Sequence, residues 1–391
     1  MRVPEFSPLI DKAEVFQVLE TLEDNWLTEG RKTRELEERL AGFFGCRRVL
    51  MVPNGTLAIF AALKVLGIGP GDEVIVPDFT FFGTASAVIL TGATPVLVDV
   101  DEFDGNISVS SAERSLSPKT RAIIPVHIYG QSCDMTSVMA LARRSGLLVV
   151  EDAAQGVGVT FGDKHVGTFG DIGCVSFFAD KTVTTGEGGA LLLNDDRLAE
   201  ECLYFKNQGR LHRGTFIHDR VGYNFRITDM QAAIGLAQFA RVDRIIARKR
   251  EIRRLYESRL VDCPGIQAAR DNGFGEVVPF RVNILVGDPD GMGRFLRERE
   301  IGTRRFFYPL HLQPSLSAAN SIVCEKPIAS IRLFERGLML PTGLDLTEEQ
   351  IGYVCDSIWE YQTEYVNRRE PDAGTPKEKG TSSALRAKNP M

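Results

Sequence analysis

The chain has 391 residues, 43% hydrophobic and 25% charged, the balance of an ordinary folded protein and more than one compact core usually serves. A net charge of −6 disfavours nucleic acid and anionic membrane as partners, and no apolar run approaches the length of a membrane span. Seven cysteines stand singly with no CxxC spacing, and the start MRVPEFSPLIDKAEV lacks the order of a signal peptide, which argues against a disulfide framework, a zinc site and export, and for the cytoplasm.

Asp11–Thr21 has the spacing of an amphipathic helix, Asn25–Gly30 reads as a loop, and Thr33–Phe44 sets Leu36, Leu40, Phe43 and Phe44 at helical intervals. From Arg48 the pattern changes. Short apolar runs occur at Val49–Val52, Val74–Val76, Pro95–Val98, Ala122–Val126, Leu147–Val150, Cys174–Phe178 and Ala190–Leu193. Helix-length segments at Thr56–Leu66, Thr80–Leu90, Val109–Leu116 and Met135–Ser145 separate most of the first five. Such alternation predicts an α/β fold with a seven-stranded, mostly parallel sheet. The last two runs leave no room for a helix, so at least one strand should break the parallel pattern. Thr228 and Gln231 form a capping box that starts a long helix near Asp229, continuing with a bend through Leu260 to the Pro264–Gly265 turn. A smaller C-terminal α/β lobe follows, with a strand at Val277–Leu285 and helices at Met292–Glu300 and Glu348–Val366. The organisation expected is a large lobe over 1–250, a small lobe over 251–367 and a polar, disordered tail over 368–391.

The stretch from Leu147 to Leu193 holds the chemistry. A buried strand that stops at Glu151 and Asp152 places an acid at the carboxyl edge of the sheet, where open α/β sheets bind ligands. Lys181 follows the next strand, with little nearby charge to pair with it, and leads into Gly186–Gly189. A lysine losing solvation is held more readily as the neutral amine, the form that attacks a carbonyl. Asn54-Gly55-Thr56 opens a helix whose free N–H groups favour phosphate. A fixed carboxylate, an amine and a phosphate loop are the parts that pyridoxal phosphate (PLP) chemistry requires. No GxGxxG follows the first strand, which disfavours a nicotinamide oxidoreductase, and GEGG matches no P-loop.

The arrangement EDAAQ (Glu151–Gln155), SFF..K (Ser176–Lys181) and GEGG (Gly186–Gly189) resembles the DegT/DnrJ/EryC/StrS family of sugar aminotransferases. NGTLA, GPGDEVIVPDFTF, VHIYGQ and GYNFRITDMQAAIGLAQ extend the likeness over nearly the whole chain. The resemblance implies the type I, aspartate aminotransferase-like PLP fold. It makes Lys181 the Schiff-base lysine and Asp152 the partner of the ring nitrogen. It puts Gln155 near the ring hydroxyl, Gly55, Thr56 and Ser176 at the cofactor phosphate, and Phe81 on the ring face. Asn224 would reach the phosphate of a neighbouring subunit, so a homodimer with shared active sites is implied. Arg304, Tyr308 and His311 are implied for the sugar pocket, Arg304 as a candidate for a substrate anion. Glutamate is the implied donor and a keto nucleotide sugar the acceptor. VHIYGQSCDM, FKNQGR, GYNFR and RRFFYPLH look most like the members that aminate carbon 4 of GDP-4-keto-6-deoxymannose. The alternatives are amination at carbon 3, a dTDP, UDP or CDP sugar, a PLP-dependent sugar dehydratase, and a non-catalytic regulator. The dehydratase carries histidine where this chain has Lys181, and intact Lys181 and Asp152 argue against the regulator.

Overall fold

The computed structural model describes residues 1–210, 216–318, 322–323 and 327–369. Residues 370–391 of the expected tail, together with His212 and Cys324, lie outside the described residues.

Strands β1 (Arg48–Val52), β2 (Glu73–Pro77), β3 (Thr94–Val98), β4 (Thr120–Ile123) and β5 (Leu148–Asp152) alternate with helices. A two-residue hairpin, β6 (Thr160–Phe161) and β7 (Lys164–His165), precedes β8 (Ile172–Ser176) and β9 (Gly189–Leu193). The seven expected runs form one sheet in the order β1-β9-β8-β5-β4-β2-β3, and β13 (Ile322–Val323) adds an eighth strand beside β3. Only β9 runs against the rest, pairing antiparallel with both β1 and β8. β2, β8 and β9 are buried at every position, which is why they read as unbroken apolar runs. Because the other strands run in parallel, their carboxyl ends, and the amino end of β9, share one edge.

A second, antiparallel sheet has the order β10 (Gln267–Ala268), β11 (Val282–Leu285), β14 (Gly337–Leu340), β12 (Arg304–Arg305). The strand expected at Val277–Leu285 begins only at Val282. Its first half is engaged elsewhere: Val278 N–H donates to Gly130 O (3.1 Å) and Phe280 N–H to Tyr129 O (3.2 Å). Gly130 sits at φ +83, and a Cβ there would lie 1.8 Å from Val278 O, so only glycine admits this crossing. Helix Asp196–Lys206 was not expected, although Asp195 caps it and Ala199, Cys202 and Phe205 are buried along it. Helix Ile328–Arg336 and β14 were likewise not anticipated. The terminal helix runs to Arg369, past the Val366 end expected.

The capping box at Thr228 and Gln231 is present. The long helix behind it divides into Asp229–Phe239 and Val242–Leu260. Arg241, at the break, is drawn toward the N-terminal segment by ion pairs to Asp11 and Glu14 and by a hydrogen bond to Leu9 O (2.8 Å). Val242 belongs to the core beneath the large sheet, whereas Ile252, Tyr256 and Leu260 belong to the core of the second sheet. One helix therefore enters both cores. No helix among the described residues is long and apolar enough to cross a membrane.

Helix Arg31–Phe44 begins at Gly30, which has no side chain to cap it. Asp229 supplies the cap from a distance. Its carboxylate accepts from Gly30 N (2.7 Å), Lys32 N (3.1 Å), Thr33 N (3.0 Å) and Thr33 Oγ1 (2.6 Å), and the residue is buried. Asp229→Ala leaves those donors unmet and is expected to cost about 3 kcal/mol, read as a lower urea midpoint. A variant as stable as the parent would show that this cap contributes nothing.

Candidate active site

The shared strand edge gathers the candidate residues. Asn54 follows β1, Phe81 follows β2, Asp152 ends β5, Ser176 ends β8 and Gly189 begins β9. Asn54 caps helix Gly55–Val65, its Oδ1 accepting from Leu57 N (2.9 Å). The N–H groups of Gly55 and Thr56, in the first turn, have no partner within the helix and remain as donors. A Cβ on Gly55 would lie 2.9 Å from Ser176 Cβ, and one on Gly189 would lie 2.5 Å from Asn54 C and O. The two glycines let the helix start, the serine and the GEGG loop close on one another, forming a cradle of N–H and O–H donors suited to a phosphate.

The two consecutive acids at the end of β5 do different work, as neighbours on a strand point to opposite faces. Glu151 is fully buried and accepts from Gly167 N (2.7 Å), Phe169 N (2.6 Å), Gly170 N (2.7 Å) and His127 Nε2 (3.0 Å). Burial pushes its carboxyl up, but the hydrogen bond from His127 and the backbone donors outweigh this and hold it below the ordinary value. His127 Nδ1 accepts from Cys133 N (3.2 Å), which assigns the ring proton to Nε2 and makes this histidine a brace of the strand end. Asp152 faces the other way. It accepts from Thr84 Oγ1 (2.8 Å) and Ala154 N (3.0 Å), and burial raises its carboxyl above the ordinary value. A buried carboxylate with only neutral hydrogen-bond donors fits a cationic partner such as a protonated ring nitrogen.

Gln155 is buried, and its Oε1 accepts from Tyr129 N (2.6 Å). Its Nε2 has no hydrogen-bond partner among the described residues, so the amide is oriented with a donor to spare. Tyr129 adopts φ 54, rare for a tyrosine, and stacks on Phe307 with ring centroids 5.5 Å apart.

Lys181 lies in a cleft of about 490 Å³ that is also lined by Asn54, Thr56, Phe81, Asp180, Phe280, Arg304 and Phe307. Burial lowers its amine below the ordinary value, Asp180 and Asp152 pull the other way, and Arg281 and Arg304 add to the lowering. The expectation of little charge near Lys181 is corrected here: Asp180 Oδ1 is 3.8 Å from Nζ. Phe81 is largely exposed, one aromatic face of the cleft, with its centroid 6.2 Å from that of Phe307. Arg304 reaches the cleft while paired with Glu5 Oε1 at 2.8 Å.

Tyr308, His311 and Asn224 are not among the residues that line this cleft. Tyr308 packs edge-on against Phe334 at 5.0 Å. The His311 ring and backbone N–H are both held by the buried Asp78, each at 2.7 Å. Asn224 is exposed, on a segment bridged to Asn207. Asp180, Phe280, Arg281 and Phe307 were not singled out from the sequence. The first adjoins Lys181 and was legible as a neighbour; the others come from segments remote in the chain and carry no local motif.

The family model for the DegT/DnrJ/EryC1/StrS aminotransferase family matches residues 8–359. The chain is 38% identical over 366 residues to a GDP-perosamine synthase of Escherichia coli O157:H7, covering 93% of this chain and 99% of that one. It is also 38% identical over 371 residues to a GDP-perosamine synthase of Caulobacter vibrioides, covering 91% and 97%. Among solved structures it is similar to the PLP form of a putative sugar aminotransferase, Spr1654, from Streptococcus pneumoniae, with a TM-score of 0.89 and 25% identity over 93% of this chain and 99% of that one. The cradle, the buried carboxylate and the cleft lysine agree with that likeness: the chain belongs to the DegT/DnrJ/EryC1/StrS aminotransferase family and is a pyridoxal phosphate-dependent aminotransferase.

Proposed function

We propose that this chain transfers an amino group from glutamate to carbon 4 of a nucleotide-linked 4-keto-6-deoxy sugar, GDP-4-keto-6-deoxymannose, forming GDP-perosamine. The observation that carries the transferase reading is Lys181 itself, an amine in the cleft where the related dehydratase has a histidine. The likeness to two GDP-perosamine synthases over nearly the full chain supports the choice of sugar. We place the enzyme in the cytoplasm and its product in the O-antigen of a lipopolysaccharide.

When bound, pyridoxal phosphate supplies a carbonyl carbon that takes up the amino group and a ring that accepts the electron pair left on the donor carbon. The residues present suit this group. Gly55 and Thr56 N–H and Ser176 Oγ would hold its phosphate, Gln155 Nε2 its ring hydroxyl and Asp152 its ring nitrogen. An ionised Asp152 keeps that nitrogen protonated at neutral pH. Phe81 would cover one ring face. Lys181 would anchor the cofactor and, once released, move a proton between the donor carbon and the cofactor. Arg304 would meet an anionic group of the substrate. Tyr308 and His311, on the chain that follows β12, would shape the sugar pocket, with Asp78 fixing the histidine ring.

The reading includes a homodimer with shared sites, in which Asn224 reaches the partner's cofactor phosphate. Its exposure in the single chain supports this, as do Val15, Phe16 and Leu19, exposed on the first helix. We take 1–250 and 251–367 as the large and small lobes, joined inside helix Val242–Leu260.

A panel of keto sugars on GDP, dTDP, UDP and CDP, incubated with glutamate and followed by mass spectrometry, is expected to give amination of the GDP-linked 4-keto sugar first. Preference for a 3-keto sugar or another nucleotide would overturn the assignment. Gly55→Ala, by pressing on Ser176, is expected to weaken cofactor binding on the order of tenfold, about 1.4 kcal/mol, in a titration of the visible band. Unchanged affinity would remove the cradle from the phosphate. Mixing Lys181→Ala chains with Asn224→Ala chains is expected to restore activity, because one site of a mixed dimer then carries neither defect. If subunits exchange and activity stays at the sum of the parents, the sites are not shared.

A further inference from the structure

Asp180 was absorbed by none of the roles above, yet it is the residue that faces the Lys181 amine. Its Oδ2 is bound by Arg281 Nη2 at 2.9 Å, and its Oδ1, 3.8 Å from Lys181 Nζ, is buried with no hydrogen-bond partner among the described residues. Among the described residues no other carboxylate oxygen lies within 4 Å of that amine. Arg281 is itself fixed. It is buried, donates to Thr342 Oγ1 at 3.2 Å, and lies 3.8 Å from Glu5 Oε1.

The surroundings are crowded with cations. The Lys181 Nζ is 4.5 Å from the centroid of Phe280, the Arg281 guanidinium carbon 4.8 Å and the Lys249 Nζ 6.0 Å. Arg304 adds a fourth basic group from β12, offset by Glu5 of the N-terminal segment. Asp152, at the end of β5, is committed to the cofactor side. Burial pushes the Lys249 amine down to about 7, so Arg281 and Arg304 are the lasting cations here, and a lysine that must gain and release a proton beside them would shed it too readily unless one anion stood against it.

We propose that Asp180 is a positioning residue that orients the Lys181 amine and steadies it when protonated, and that Arg281 holds Asp180 for that task. The inference rests on the reading of Lys181 as the cofactor-bearing lysine. Asp180 accepts no proton and forms no bond; its charge favours the state in which the lysine nitrogen carries its proton. Arg281 takes one carboxylate oxygen and leaves the other aimed at the amine. The buried lysine is lowered first by loss of solvation, and Asp180 is the largest opposing influence.

The sign of the effect follows. Removing a nearby anion destabilises the protonated nitrogen, so its titration midpoint falls. The experiment uses the cofactor-loaded protein and follows its visible absorption with pH, which reports whether the lysine nitrogen is protonated. Asp180→Asn is expected to lower the midpoint by about one pH unit or more. Asp180→Glu, which keeps the charge, is expected to stay within half of the Asn displacement. An unmoved or raised midpoint in Asp180→Asn overturns the inference. Should that variant fail to fold, the double variant Asp180→Asn/Arg281→Gln leaves neither charge buried alone. The nearer charge dominates, so its midpoint is still expected to fall, and one that holds or rises overturns the proposal. Lys181→Ala separates the two readings. If the visible band of the parent survives in Lys181→Ala, the role of Lys181 itself is wrong; a normal parent band with no displacement in the Asp180 variants sinks only the role of Asp180.

Discussion

A carboxylate sealed at the end of a buried strand is costly unless its charge is answered, and the arrangement of this protein follows from how Asp152 is answered. Threonine and backbone donors fix its orientation without neutralising it. That leaves the charge able to meet a cationic partner. Its neighbour Glu151 shows the contrasting solution. Four donors surround that carboxylate, so it serves as an internal brace on the loop through Gly167–Gly170. Two acids, adjacent in the chain and facing opposite ways, are answered by different sets of donors.

The same edge works because backbones approach one another there more closely than side chains allow. Gly55 against Ser176 and Gly189 against Asn54 bring a helix start, a strand end and a loop into one cradle. Gly130 does the equivalent on the far side, letting the chain between the two sheets hydrogen-bond to the loop after β4. The glycines set distance, and the polar atoms around them gain direction from it.

Much of this was legible where cause and effect are close in sequence. The strand runs, the reversal forced by the short gap before β9, the cap at Thr228–Gln231 and the acid that ends β5 each depend on a few consecutive residues. The shortened β11 was not legible, because the bonds that divert Val278 and Phe280 come from Tyr129 and Gly130. The break at Ala240–Arg241 has the same origin in Asp11 and Glu14. The orientation of His311 was not legible either, because the Asp78 that binds its ring nitrogen comes from the opposite half of the chain. Helix Asp196–Lys206 is different, since its cap and apolar spacing stand plainly in the sequence. Long-range polar pairing, which no periodicity records, accounts for most of the remainder.

Helix Val242–Leu260 is anchored in the core beneath the large sheet at one end and in the core of the second sheet at the other. Such a shaft transmits force. A displacement of either sheet is therefore carried along the helix to the core of the other. Val3, which packs in the second core although it lies at the opposite end of the chain, closes the loop from the other side. The first 250 residues alone would hold Val3 without any of the core residues it packs against, all of which lie from Ile252 onward.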